Sequence, residues 1–204
     1  SAARNEAAGS ASASDALDLN CVLPAERVAY VGGSHGGFIG AHILGQRPAA
    51  FRCAVLRNPV CNIASMVGVT DIPDWCFVEA GLPYDFSAVP TASPEQLATM
   101  WRKSPIQHVH SVIAPVLVCI GANDRRVPPS NGREWFQALR FHQAQRRSAA
   151  RAAEPATAAH ADERRSRMLW YPNESHPLAG VECELNMWPE VLTFLDRYTA
   201  TSRT

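Results

Sequence analysis

Four short runs rich in β-forming residues punctuate the chain: "RVAYVG" (27–32), "RCAVLR" (52–57), "PVLVCIG" (115–121) and "RMLWYP" (167–172). Three stretches beside them carry apolar residues at helical spacing. "GFIGAHILGQ" (37–46) has apolar positions 38, 39, 43 and 44 and ends before Pro48; "NGREWFQALRFH" (131–142) and "ELNMWPEVLTFLDRY" (184–198) follow later. Strands that alternate with helices cannot pair as hairpins, because each helix carries the chain back to start the next strand in the same direction. The rhythm predicts an α/β fold, with a mostly parallel sheet and helices on both faces.

The 204 residues suffice for one domain with a sizeable core. Nineteen basic residues balance nineteen acidic ones, so no charge excess favours nucleic acid or an anionic membrane surface as partner. The longest strongly apolar run, "IAPVLVCIGA" (113–122), is too short to span a bilayer. No basic-then-apolar leader is visible, and the expected location is cytoplasmic. The six cysteines (21, 53, 61, 76, 119 and 183) form no CxxC pair and no metal-spaced cluster with histidine. They read as reduced thiols, Cys53 and Cys119 as small buried hydrophobes, and neither a metal nor another cofactor is expected.

Two stretches lack a packable pattern. Residues 1–20 are mostly alanine and serine and read as a flexible segment ahead of a domain over 21–204. Residues 142–167, "HQAQRRSAARAAEPATAAHADERRSR", lack large apolar side chains and are broken by Pro155, as expected of a solvated low-complexity insertion with a frayed helical start. A basic contact patch for a partner is the alternative for the same residues.

The first strand runs directly into "YVGGSHGGFIG" (30–40), with five glycines around Ser34. Gly32-Gly33-Ser34-His35-Gly36 fits G-x-S-x-G, here between a strand and a helix. That is the setting of a nucleophile elbow, in which a sharp turn presents the serine hydroxyl at the sheet's rim. Small flanking residues let strand and helix close on each other. The N–H of His35, at the helix N-terminus, is placed to donate to a developing oxyanion.

A serine hydroxyl is inert at neutral pH without a base, so an acid and a histidine are expected downstream, each beyond a strand. Of the aspartates at 71, 74, 85, 124, 162 and 196, only Asp124 follows a strand in a short loop, "GANDRRVP". Of the histidines beyond it, His142 ends a helix and His160 lies in the insertion. His176 follows the fourth strand in "NESHPLAG". The elimination selects Ser34 as nucleophile, His176 as base and Asp124 as its orienting acid. Activity is then expected to fall as pH drops through roughly 6 to 7, where an ordinary histidine protonates.

"GGSHGGFI", "RNPVCNIASM", "TDIPDWC" and "GANDRRVP", in that order, closely resemble the catalytic domain of acylaminoacyl-peptidases, cytosolic serine peptidases of the prolyl oligopeptidase family. The likeness runs from about Val28 to the last helix. It implies the C-terminal part of an α/β-hydrolase fold, with the family's nucleophile, acid and base at Ser34, Asp124 and His176. The implied reaction releases an N-acylated, typically N-acetylated, amino acid from the blocked end of a short peptide. In the segment 57–80, Arg57 is a candidate donor to a substrate carbonyl, the alternative being an ion pair with Asp71 or Asp74. Trp75 is a candidate wall of the acyl or side-chain pocket, the alternative being a core aromatic.

The resemblance also implies parts that this sequence does not contain. An elbow strand is normally the fifth of eight, so earlier strands, a glycine-bearing loop with a second oxyanion donor, and a β-propeller are expected upstream. Without them the first strand would show an unprotected apolar edge, and residues 1–204 alone are expected to be poorly stable and nearly inactive. Homo-oligomer formation stays open. So do two other readings: a different α/β-hydrolase, such as an esterase or a dipeptidyl- or oligopeptidase, and a non-catalytic interaction module.

Overall fold

The computed structural model describes residues 28–87, 91–153 and 166–200. Four strands, β1 (Ala29–Gly33), β2 (Cys53–Arg57), β3 (Val116–Gly121) and β4 (Arg167–Tyr171), form one parallel sheet in the order β1-β2-β3-β4. The α/β expectation holds, with each strand within two residues of its expected position. Helix α1 (His35–Gln46) leaves β1 after a single residue, starting two residues before the expected position.

Alternate strand residues feed opposite layers, as the two-residue period of a strand requires. Ala54, Leu56, Val116, Val118 and Ile120 pack with Ala41 and Leu44 of α1 and with Trp135, Phe136 and Leu139 of α5 (Pro129–Ala153). Cys53, Val55, Leu117 and Cys119 face the other way, onto Met187, Val191 and Phe194 of α6 (Val181–Thr199). Burial on both faces explains why β2 and β3 read as continuous apolar runs.

A third cluster sits beside the elbow. It joins Phe38 of α1 to Ile63 and Met66 of α2 (Ile63–Met66), Cys76 and Phe77 of α3 (Pro73–Glu79), and Met100 of α4 (Pro94–Arg102). Neither α4 nor the 3-10 helix Pro105–Ser111 is among the helices that the apolar spacing predicts. Yet α4 opens on a capping box: the Ser93 hydroxyl accepts from the Gln96 N–H, and the Gln96 side chain accepts from the Ser93 N–H.

The Ala/Arg-rich stretch is helical at its start, where α5 continues without a break to Ala153. Alanine and arginine are strong helix formers, and the extension is tethered. Gln143 donates to the Ala114 carbonyl at 3.1 Å, and Arg146 donates to the carbonyls of His110 and Val112. Residues 154–165 and the expected flexible segment 1–20 lie outside the described residues. Among the described residues, Cys53, Cys61, Cys76, Cys119 and Cys183 are free thiols, and no helix is long and apolar enough to cross a membrane.

Candidate active site

Ser34 sits between β1 and α1 with φ 55° and ψ −120°. A non-glycine residue in the left-handed region is held there by its surroundings. Its N–H donates to the Arg57 carbonyl at 2.9 Å, extending the β1–β2 ladder, and its own carbonyl accepts the first helical bond, from Phe38 N–H at 3.1 Å. Strand and helix thus grip the residue from both sides and present its side chain at the sheet's carboxyl rim.

The glycines around it divide by position. A Cβ on Gly32 would stand 2.7 Å from the Gly36 carbonyl oxygen, and one on Gly37 2.7 Å from the Cα of Pro59. These two positions carry the expected steric role, as does Gly40, where a Cβ would run into the Tyr30 ring. Gly36 has open space where a Cβ would go, and Gly33 meets Arg57 only at ordinary contact distance, so crowding by described residues does not explain them.

Ser34, Asp124 and His176 meet at the carboxyl ends of three strands. The Ser34 hydroxyl and His176 Nε2 are 2.9 Å apart, and His176 Nδ1 lies 2.7 Å from Asp124 Oδ2. A buried carboxylate can only accept, so Nδ1 carries the proton and Nε2 is left free to accept from Oγ. Asp124 is anchored in turn: its Oδ1 accepts from the N–H groups of Arg126 at 2.9 Å and Val127 at 3.0 Å. Its side chain has no solvent exposure, whereas that of His176 is 26% exposed and reachable from outside. This is the arrangement in which an imidazole takes a serine proton while the carboxylate stabilises the cation that results.

His35 is the first residue of α1, so its N–H has no intrahelical acceptor and lies beside Ser34 at the positive end of the helix. Its side chain points to Glu79, with Nε2 and Oε1 3.3 Å apart, and stacks on Phe38 at 5.6 Å. Trp75 is half-buried and meets His35 edge-on at 5.7 Å and Phe38 at 6.3 Å. It therefore belongs both to the third apolar cluster and to the immediate surroundings of the elbow.

Arg57 does not make the ion pair with Asp71 or Asp74 that is one reading of it. Its guanidinium donates to the Pro177 carbonyl at 2.9 Å and rides over the Trp188 ring at 5.1 Å, which ties β2 to the His176 loop and to α6. The ion pair with Asp71 goes to Arg126 instead, at 2.8 Å. Beneath this rim, burial pushes the Cys119 thiol up to about 12, although the nearby Arg57 charge acts in the other direction. Among the described residues, no three His, Cys, Asp or Glu side chains gather where they would hold a metal ion.

Residues 4–202 match the model of the prolyl oligopeptidase family. The chain belongs to the prolyl oligopeptidase family. This prolyl oligopeptidase-family chain is 41% identical over 171 residues to the acylamino-acid-releasing enzyme of Homo sapiens, a match covering 84% of this chain and 20% of that protein. It is 36% identical over 184 residues to the enzyme of the same name from Arabidopsis thaliana, covering 90% of this chain and 21% of that one. Its fold superimposes on the Pyrococcus horikoshii acylaminoacyl peptidase with a TM-score of 0.65 at 15% identity, over 88% of this chain and 25% of that structure. The chain thus spans about a fifth of the length of the curated relatives it matches.

Proposed function

We propose that this chain is the C-terminal catalytic part of a serine peptidase that hydrolyses the first peptide bond of short N-acylated, chiefly N-acetylated, peptides. The observation that carries the reading is the unbroken relay from Asp124 through His176 to Ser34, in a chain so similar to acylamino-acid-releasing enzymes. Ser34 Oγ attacks the carbonyl carbon of the first residue while His176 Nε2 takes the hydroxyl proton. The His35 N–H receives the negative charge that forms on the carbonyl oxygen. The C–N bond then breaks, the amine leaves with the proton from His176, and an ester to Ser34 remains. Water attacks that ester, giving its proton to His176; the N-acyl amino acid departs and Ser34 regains its hydrogen. Side chains, the His35 backbone N–H and water supply every group in this sequence. Trp75 walls the pocket beside the elbow. Arg57 is the candidate donor to a substrate carbonyl, since the Pro177 carbonyl takes only one of its guanidinium N–H groups.

The remaining parts of the fold are supplied by polypeptide upstream of this chain's hydrolase portion. Among the described residues β1 is an edge strand, with Val31 48% exposed, although it carries the elbow. An open edge of this kind pairs with further strands or aggregates. On α6, Val181, Leu185, Trp188 and Leu192 form an exposed stripe at helical spacing, which upstream helical structure would cover. The second oxyanion donor and a β-propeller that limits entry to small substrates come from the same upstream region. The free thiols support a reducing, cytoplasmic location.

The test is hydrolysis of acetyl-alanine p-nitroanilide by the intact protein, together with fluorophosphonate labelling mapped by peptide mass spectrometry. The expected result is turnover with the label on Ser34. Labelling elsewhere, or hydrolysis of unblocked peptides in preference to acetylated ones, overturns the reading. Robust turnover by residues 1–204 alone would overturn the need for the upstream part.

A further inference from the structure

Asn58 closes β2 at 3% exposure, and its backbone lies in the left-handed region with φ 41°. Its N–H continues the ladder, donating to the Cys119 carbonyl at 2.8 Å. The side chain then does something that no residue on β3 or β4 does for itself. Oδ1 accepts from the Gly121 N–H at 2.8 Å, while Nδ2 donates to the carbonyls of His176 at 2.9 Å and Ser175 at 3.3 Å. The orientation of the amide is unambiguous, because an N–H cannot accept and a carbonyl cannot donate.

These partners belong to the two loops that carry the acid and the base. Gly121 ends β3, and its carbonyl accepts from the Asp124 N–H at 3.3 Å. His176 and Ser175 lie beyond β4, which touches β3 but not β2. One side chain from β2 therefore reaches across the end of β3 and pins both loops together. The residue before it, Arg57, offers its carbonyl to the Ser34 N–H at 2.9 Å. All three members of the relay are thus referred to the same two residues at the end of β2.

We infer that Asn58 is a positioning residue for the hydrolytic reaction, setting the distance between the Asp124 and His176 loops without touching substrate or the reacting atoms. The inference rests on the proposed serine-peptidase reading. Asparagine meets both demands at this point. It tolerates the left-handed backbone better than other residues with a side chain, and its amide supplies one acceptor and two donors where one N–H and two carbonyls wait. A leucine would leave the buried Gly121 N–H and the part-buried carbonyls of His176 and Ser175 without this partner. An aspartate would keep the acceptor but set a carboxylate against two carbonyl oxygens.

Two variants of the intact protein separate the side chain from the backbone. Asn58→Gly keeps the left-handed φ and removes the clamp; Asn58→Asp keeps the shape and removes the donors. With an acetylated anilide substrate, both are expected to lower kcat by about a hundredfold, the scale of a small misplacement of catalytic groups, while KM stays within about threefold. The far-downfield proton resonance of the His176–Asp124 hydrogen bond should broaden or shift in both. That readout needs no turnover, so it reports on the clamp even if the substrate class is wrong. Wild-type kcat and an unchanged resonance in folded Asn58→Gly would overturn the inference. An inactive, unlabelled wild-type protein would instead overturn the serine-peptidase reading. If Asn58→Gly fails to fold, Asn58→Asp decides: a lower melting temperature with wild-type kcat means a merely structural role.

Discussion

Asp124 Oδ2 lies 2.7 Å from His176 Nδ1, across two loops that leave neighbouring strands, and the carboxylate is shut off from solvent while the imidazole is not. The asymmetry has a use. A charge without water is held in place by fixed donors, here the Arg126 and Val127 N–H groups, so it does not reorient when the imidazole becomes a cation. The exposed imidazole edge stays open to substrate.

Replacing Asp124 by Asn tests that relationship without changing its shape. An amide NH₂ set against Nδ1 would force the proton onto Nε2, the tautomer unable to accept from Ser34. The expected loss in kcat is about ten-thousandfold with the fold intact. Steady-state kinetics and circular dichroism on the intact protein check both halves of the statement.

Ser34→Ala removes the proposed nucleophile. The expected loss in kcat is on the order of a millionfold, and fluorophosphonate labelling should vanish. Because the relay acts as a unit, Ser34→Ala/Asp124→Asn should be scarcely slower than Ser34→Ala alone. Losses that multiply across the double variant would contradict the shared role.

Gly37 and Gly36 should respond oppositely to the same change. A methyl group at Gly37 drives into Pro59 at 2.7 Å, and Gly37→Ala is expected to destabilise by about 1–3 kcal/mol. Gly36 has open space around it and lies inside a helix, where alanine is favoured over glycine by up to about 1 kcal/mol. Denaturant unfolding of the two variants gives the sign in each case.

Burial pushes the thiols up: Cys53 to about 11, and Cys76 and Cys119 each to about 12. Unfolded thiols ionise near pH 8.5, roughly, so above that pH the folded chain binds more protons than the unfolded one. The thiols' contribution to stability is therefore intact below about pH 8.5 and is lost progressively as pH rises through 11 to 12. Unfolding midpoints measured from pH 7 to 10 should begin to fall only in the upper part of that range. At pH 8 iodoacetamide should modify these three cysteines slowly in the native protein and fully in urea.

Much of this architecture was legible before any coordinates. Strand runs and helical periods depend on residues within a few positions of each other, so the alternation and its parallel consequence could be read directly. The elbow was legible for the same reason, since strand, serine and helix are contiguous. Even Asp124 and His176 could be selected, because each had to follow a strand and only one candidate of each type did. Asn58 carries no such local signal: in the sequence it is half of an Asn-Pro turn, and its partners lie 63 and 118 residues away. The helix Pro94–Arg102 is faint in the sequence for a different reason, as its apolar face is narrow.

The chain's own order of residues therefore determined the layer pattern, the turn that exposes Ser34 and the identity of its two helpers. Tertiary structure alone decided that hydroxyl and imidazole, 142 residues apart, come within 2.9 Å, that Arg57 turns to the Pro177 carbonyl and Trp188 while Asp71 takes Arg126, and that one amide just beyond β2 clamps the loops after β3 and β4. The reason is physical: periodicity and turn chemistry act over a few residues, whereas which buried donor meets which acceptor depends on how strands distant in sequence stack side by side.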